Sequence, residues 1–162
     1  MKFLRTIRFD ESDDHVFERA ASPDEWAVSG AFAFADLAPE AVTGKLKQAF
    51  SNGFLGLESF GRSTFSVASE LDEDVLEQIH ATLTQHFVEH YGAPDIKAAR
   101  PAALEETRFI MDLCSDALVN TVFTVSRRFD ENAEVREEFR TIQAPGEKPL
   151  HTRIWSVVED DG

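Results

Sequence analysis

The chain has a single cysteine, Cys114, in 162 residues, so no disulfide can form within it. Its setting, Phe109-Ile110-Met111-Asp112-Leu113-Cys114, is apolar. That suits a buried thiol, whereas a nucleophilic cysteine needs open, electropositive surroundings. Basic residues are few, 16 against 30 acidic ones, and they are scattered without a Lys/Arg run. A net charge of −14 repels phosphate backbones and anionic headgroups, so the expected partners include neither nucleic acid nor a membrane surface. Long apolar runs are absent as well. The opening Met1-Lys2-Phe3-Leu4-Arg5-Thr6-Ile7-Arg8-Phe9 is repeatedly interrupted by charge, unlike a signal-peptide core. No stretch approaches the roughly 20 apolar residues of a membrane span. These absences together lead to an expected cytoplasmic location. Also missing are a Gly-x-Ser-x-Gly elbow, a P-loop and a dinucleotide fingerprint, so no cofactor and no catalytic residue is expected.

What the chain has in quantity is phenylalanine: 14 Phe against 2 Trp and 1 Tyr. Each fully buried Phe contributes roughly 1.5–3 kcal/mol before entropy is counted, and unlike Tyr or Trp it brings no polar tip that needs a partner. The length is that of one domain able to bury its own core.

Alternating apolar residues predict a strand over Phe3–Phe9, a weaker one over His15–Ala20 and a third from Trp26 to Phe34. The third has Trp26, Val28, Phe32 and Phe34 on one face and Ala27, Ser29, Ala31, Ala33 and Ala35 on the other. A face of small residues admits a helix of the same domain or, as the alternative, a second subunit. Pro39 opens a helix to about Asn52, with Gly53 as its left-handed cap. Arg62–Ser69 reads as strand. Asp72 is an N-cap for a long helix that ends near Tyr91, and Pro101 starts another that ends between Leu113 and Asp116. A hairpin follows, Thr121–Phe129 and Val135–Thr141 about the turn Asp130–Ala133, then a last strand over Leu150–Val158. The expected fold is α+β: one domain over 1–162 with a frayed tail at 159–162. It has a largely antiparallel sheet of about six to seven strands with two or three helices on one face.

Three constellations bear on chemistry. The first is Asn52–Phe65, where three glycines, Arg62 and several hydroxyls lie between a helix and a strand. Glycine lets backbone approach a ligand, and the arginine fork matches carboxylate or phosphate oxygens. Glu58, Ser59, Arg62, Ser63 and Thr64 are therefore the candidate ligand-binding residues. Against this, glycines are ordinary at helix ends and turns, and a loop leaving a helix meets the wrong end of its dipole for an anion. The second is His86 and His90, spaced i, i+4 beside the Leu83–Phe87 stripe, with His80 six residues earlier on the same helix. The pair is half of a metal site at most, since zinc usually takes three or four protein ligands. The neighbouring Glu77 and Glu89 supply no recognised completion, and boundary histidines beside a core stripe are ordinary. Titration near neutrality is a third use for them. The last constellation is the acidic pairs Glu105-Glu106, Asp72-Glu73-Asp74 and Glu137-Glu138. Adjacent residues point in different directions, and Glu134, Arg136, Glu138 and Arg140 alternate as a solvated face.

The opening Met1–Asp10, the central Gly53–Thr64 and Val135-Arg136-Glu137-Glu138-Phe139-Arg140 together resemble a small bacterial family of unknown function. The resemblance implies a bacterial cytosolic protein and carries no activity, substrate or catalytic residues. Two functions stay open. One is a non-catalytic binding or accessory protein with a protein partner, or one that self-associates through the small-residue face or an open strand edge. The other is a small-molecule-binding domain or enzyme with a polar pocket around Arg62, whose ligand the sequence does not name.

Overall fold

The computed structural model describes residues 1–142 in full and the backbone of 151–155. In chain order the elements are β1 (Lys2–Ile7), α1 (Ser12–Val16), β2 (Trp26–Val28), a 3-10 turn (Ala31–Phe34), a second 3-10 turn (Pro39–Ala41), α2 (Gly44–Asn52), β3 (Phe54–Gly56), β4 (Arg62–Ser63), β5 (Phe65–Glu70), α3 (Glu73–His90), α4 (Ile96–Cys114), β6 (Val122–Phe129), β7 (Val135–Thr141) and β8 (His151–Trp155). The strands form one sheet in the order β4-β3-β2-β1-β5-β6-β7-β8, every neighbouring pair antiparallel. The α+β class is as expected, and the sheet reaches eight strands because β3 and the two-residue β4 extend it at one end. None of the described helices is long and apolar enough to cross a membrane.

Phenylalanines and aliphatics from both layers form the core. Phe3, Leu4, Phe54, Phe123 and Phe139 from the sheet meet Ile79, Leu83, Phe87, Ala103 and Ile110 from α3 and α4. The hairpin of α3 and α4 is pinned by His80 Nε2 against Thr107 Oγ1 at 2.9 Å, and α4 packs on β1 and β2. A smaller cluster, Phe34, Val42, Phe50 and Val135, sits under α2, where Phe50 stacks on Phe129 at 4.5 Å. Cys114 is buried, and burial pushes its thiol up to about 12.

Several expected elements are replaced by others. His15–Ala20 is not a strand: α1 ends at Val16, and buried Asp13 ties it down by accepting from the Thr64 hydroxyl at 2.7 Å. Ala20 makes a single parallel bridge to Arg62 and covers the free edge of β4. The strand expected from Trp26 to Phe34 stops at Val28, because Gly30 takes a left-handed φ of +78° and the chain coils into the first 3-10 turn. A side chain there would also collide, since its Cβ would lie 2.6 Å from Arg62 Nη1. The turn separates Phe32, which meets Phe87, from Phe34, which meets Phe50. Ala27, Ser29, Ala31, Ala33 and Ala35 therefore share no face. Gly53 is extended, at φ −100°, and leads directly into β3 without a left-handed cap. The strand expected over Arg62–Ser69 is broken at Thr64 into β4 and β5. Asp72 caps α3 as expected, accepting from Val75 N–H at 2.9 Å. Asp95 caps α4 in the same way, so α4 begins before Pro101, which lies in its second turn. The last strand is β8; the remainder of the expected Leu150–Val158 strand and the 159–162 tail lie outside the described residues.

One ion pair is wholly internal. Arg127 and Glu137 face each other across β6 and β7, both fully buried, with Nε to Oε2 at 2.6 Å. The Ser29 hydroxyl donates to the same carboxylate oxygen at 2.5 Å. Arg127 Nη1 donates to the carbonyls of Phe50 (2.9 Å) and Gly53 (3.0 Å), and Nη2 to that of Ser29. One guanidinium thus binds the β6–β7 hairpin to the exit of β2 and the end of α2. Removing one partner strands a buried charge, which costs about 3–5 kcal/mol, whereas replacing both with apolar residues is often near neutral. Glu137→Leu should therefore lower the urea unfolding midpoint sharply, and Arg127→Met added to it should recover most of the loss. Additive losses in the double variant would contradict this account.

Candidate functional site

The site begins at the sheet edge. Arg62 sits on β4, between β3 on one side and the Ala20 bridge on the other, and its side chain runs inward until 8% of it is exposed. Two glycines make the channel for it: a Cβ at Gly53 would lie 3.0 Å from Arg62 Cβ, and Gly30 crowds the guanidinium itself. Arg62 Nη1 donates to the Gly53 carbonyl and Nη2 to that of Gly30, each at 3.2 Å, and the guanidinium lies 4.8 Å from the centre of the Phe34 ring. The remaining donors of its five N–H groups have no acceptor among the described residues. No described carboxylate bonds to it. Burial, helped by the nearby charge of Arg127, pulls Arg62 down to about 9, so it is still a cation at neutral pH.

The end of α3 lies against this arginine. Arg62, Arg19, Leu55, Phe60, His86, His90 and Tyr91 together line a hollow of about 360 Å³. Phe60 takes a left-handed φ of +56°, a strained conformation for an aromatic residue. That conformation lays its ring on His86, with centroids 3.9 Å apart and planes 6° apart. His90 is 4.9 Å from His86, ring to ring. Burial, then the charges of His90 and Arg62, push His86 below its ordinary value, which leaves it neutral at pH 7. Burial raises the Tyr91 phenol, which stays an O–H donor. The hollow therefore presents one fixed cation at its inner wall, an exposed Arg19 at its rim and the imidazoles of His86 and His90.

Three of the sequence candidates, Arg62, His86 and His90, meet here although they come from two different constellations. The others do not. Glu58 borders a separate hollow of about 130 Å³ with Trp26, Leu57 and Val75. The Ser59 N–H and hydroxyl donate to Glu25 at 2.8 and 2.7 Å, the Ser63 hydroxyl donates to the Phe65 carbonyl at 2.8 Å, and Thr64 holds Asp13. Strand alternation separates them: Ser63 points opposite to Arg62, and the loop polar groups turn inward to satisfy one another. For His86 and His90 as metal ligands, no third His, Cys, Asp or Glu joins them among the described residues. Arg19, Phe60 and Tyr91 were not among the candidates. Tyr91 carried the one available sign, as the sole tyrosine just past a helix end, while Arg19 enters only through the Ala20 bridge.

Buried Glu25 sets the loop that carries Phe60. Its carboxylate accepts from the N–H groups of Ser22 (2.6 Å), Glu58 (2.9 Å) and Ser59, and from the Ser59 hydroxyl. Burial pushes this carboxyl up, but the four donors outweigh it and hold its pKa below 4.5.

The fold and the site define a mixed α+β domain with a cationic, aromatic-walled hollow at the edge of its sheet. The chain belongs to a family of unknown function (DUF6505), whose model matches residues 1–156. No curated protein and no solved structure matches the chain.

A carboxylate with a lowered folded pKa adds stability above its unfolded pKa and loses it as pH falls through the folded value. Glu25→Gln should cost about 1.5–3 kcal/mol at pH 7. Its unfolding midpoint should also change less than the wild type's as the pH drops below 4.5. Equal acid sensitivity of the two proteins by chemical denaturation would show that Glu25 does not carry this term.

Proposed function

We propose that the chain binds a small organic anion in the hollow beside Arg62, and does so without turning it over. The observation that supports this is a guanidinium more than nine-tenths buried, charged at neutral pH and bordering a cavity, with no carboxylate bonded to it among the described residues. Buried charges are ordinarily paired. Arg127 has Glu137; Arg62 has two carbonyls and a ring face, which leaves its charge for a ligand. A carboxylate about 4 Å from it would gain on the order of 4 kcal/mol at an effective dielectric near 20. None of the lining residues is a Ser, Cys, Asp or Glu, so serine-, cysteine- or carboxylate-based catalysis has no group to start from there. This develops the pocket reading and keeps the non-catalytic one. A bacterial, cytoplasmic binding protein fits it. Self-association has no specific observation behind it.

The test uses acetate and inorganic phosphate as probes, with chemical-shift titration of the wild type and Arg62→Met. The variant should bind roughly ten- to a hundredfold more weakly, the loss of a hydrogen bond to a charged group. Its unfolding midpoint should hold or rise, because an unpaired buried cation is removed. The groups facing His86 are His90, Glu89, Arg62, Tyr91 and Arg19. His86 is depressed in the free protein, and a bound anion favours its protonated form. Binding then takes up a proton, so affinity should increase as pH falls through the range in which His86 titrates. Unchanged binding in Arg62→Met, or weaker binding at lower pH, would overturn the proposal.

A further inference from the structure

A second cavity, about 270 Å³, has Tyr91 in common with the first. Phe32, Phe87, Tyr91, Ala93, Ala98, Ala99 and Ala102 give it apolar sides. Tyr91 borders both cavities, and its ring meets Phe32 edge-on at 5.2 Å. The polar residues of the second cavity are both acidic, Glu105 and Glu106. The two hollows are thus opposite in character: cationic donors in one, alkyl and aryl surface with carboxylates beyond it in the other. Together they reach the range of small-molecule sites, roughly 300–1,000 Å³.

We infer that the ligand is an amphipathic monocarboxylate: its carboxylate lies against Arg62 and its apolar body runs along Tyr91 into the Phe87–Ala102 cavity. Resting on the anion site proposed above, this names the class of molecule that fills it. A dianion is disfavoured, because its second charge would meet the exposed carboxylate of Glu105. A hydrophilic anion gains nothing from the second cavity. Each methylene buried there adds about 0.8 kcal/mol, close to fourfold in affinity.

The experiment compares acetate, hexanoate and adipate by chemical-shift titration against the wild type, Arg62→Met and Ala102→Phe. Ala102 is exposed and lines only the second cavity, so a ring at that position fills the cavity without disturbing the core. Ala98→Phe repeats the test from an adjacent position, and thermal melts check the folding of each. Hexanoate should bind more tightly than acetate, by about fourfold for each methylene that enters the cavity. Adipate should gain little over acetate. Ala102→Phe should bring hexanoate back to the affinity of acetate while leaving acetate unchanged. If acetate and hexanoate bind alike and both depend on Arg62, the second cavity takes no ligand; the inference falls and the anion site stands. If neither depends on Arg62, both fall. Tighter binding of adipate than of hexanoate also overturns the inference, since it requires a dianion.

Discussion

The carbonyl oxygen of Gly53 accepts from two guanidiniums, Arg127 at 3.0 Å and Arg62 at 3.2 Å. Two like charges converge on one backbone atom in a core where burying even a single unpaired ion costs several kcal/mol. Glu137 makes the arrangement tolerable. Fully buried and bonded to Arg127 and Ser29, it neutralises one cation and lies close enough to Arg62 to favour its charged form. Much of the irregular backbone follows from this knot. β2 has to stop so that the Ser29 and Gly30 carbonyls can face the arginines. α2 has to end where the carbonyls of Phe50 and Gly53 are unused by the helix, and Gly53 must be extended to present its own. The glycines at 30 and 53 are required less as turn residues than as room for an arginine.

The two arginines differ in what surrounds them, and this difference separates scaffold from site. Arg127 has a carboxylate and donates to the carbonyls of Ala49, Phe50, Gly53 and Ser29. Arg62 donates to two carbonyls, rests on Phe34, bonds to no described carboxylate and lines the hollow under the end of α3. A fold seeking only stability would put an apolar side chain there, since a buried cation without a carboxylate is a net cost. The strained Phe60, held in place by the Glu25 clamp, points the same way, for strain of this kind persists where the surroundings impose it.

Much of this was legible in the sequence. Period-2 patterns located β1 and the β6–β7 hairpin, and the Asp72 cap located the start of α3. Three of the failed expectations share a cause. The strand expected through Gly30, the left-handed cap at Gly53 and the continuous Arg62–Ser69 strand all depend on contacts with residues distant in the chain, chiefly the arginine knot. One sign of that knot was present. In Thr121–Phe129 the inward set is Phe123, Val125, Arg127, and in Val135–Thr141 it is Val135, Glu137, Phe139. Opposite charges therefore stand on the buried face of a hairpin, at positions its register pairs. The paired-carboxylate reading set Glu137 beside Glu138 along the chain and so did not look across the strands. The candidate site was visible as two unrelated fragments, Arg62 and the His86–His90 pair. Only the docking of α3 against the β3–β4 edge brings them together.

The proposed anion site, inside a protein of net charge −14, looks contradictory until distances are considered. Exposed charges are screened beyond about 8 Å at physiological ionic strength, so much of the acidic surface is weakly felt inside the hollow. The buried guanidinium, within contact distance and poorly screened, dominates there. The acidic exterior still acts on an anion as it approaches, slowing its entry while scarcely weakening its hold once seated. Such a surface also favours ligands of single charge, because repulsion during approach grows with each added negative charge. In the proposed site, the long-range field and Glu105 beside the apolar cavity therefore act in the same direction, against dianions and for one charge carried on an apolar body.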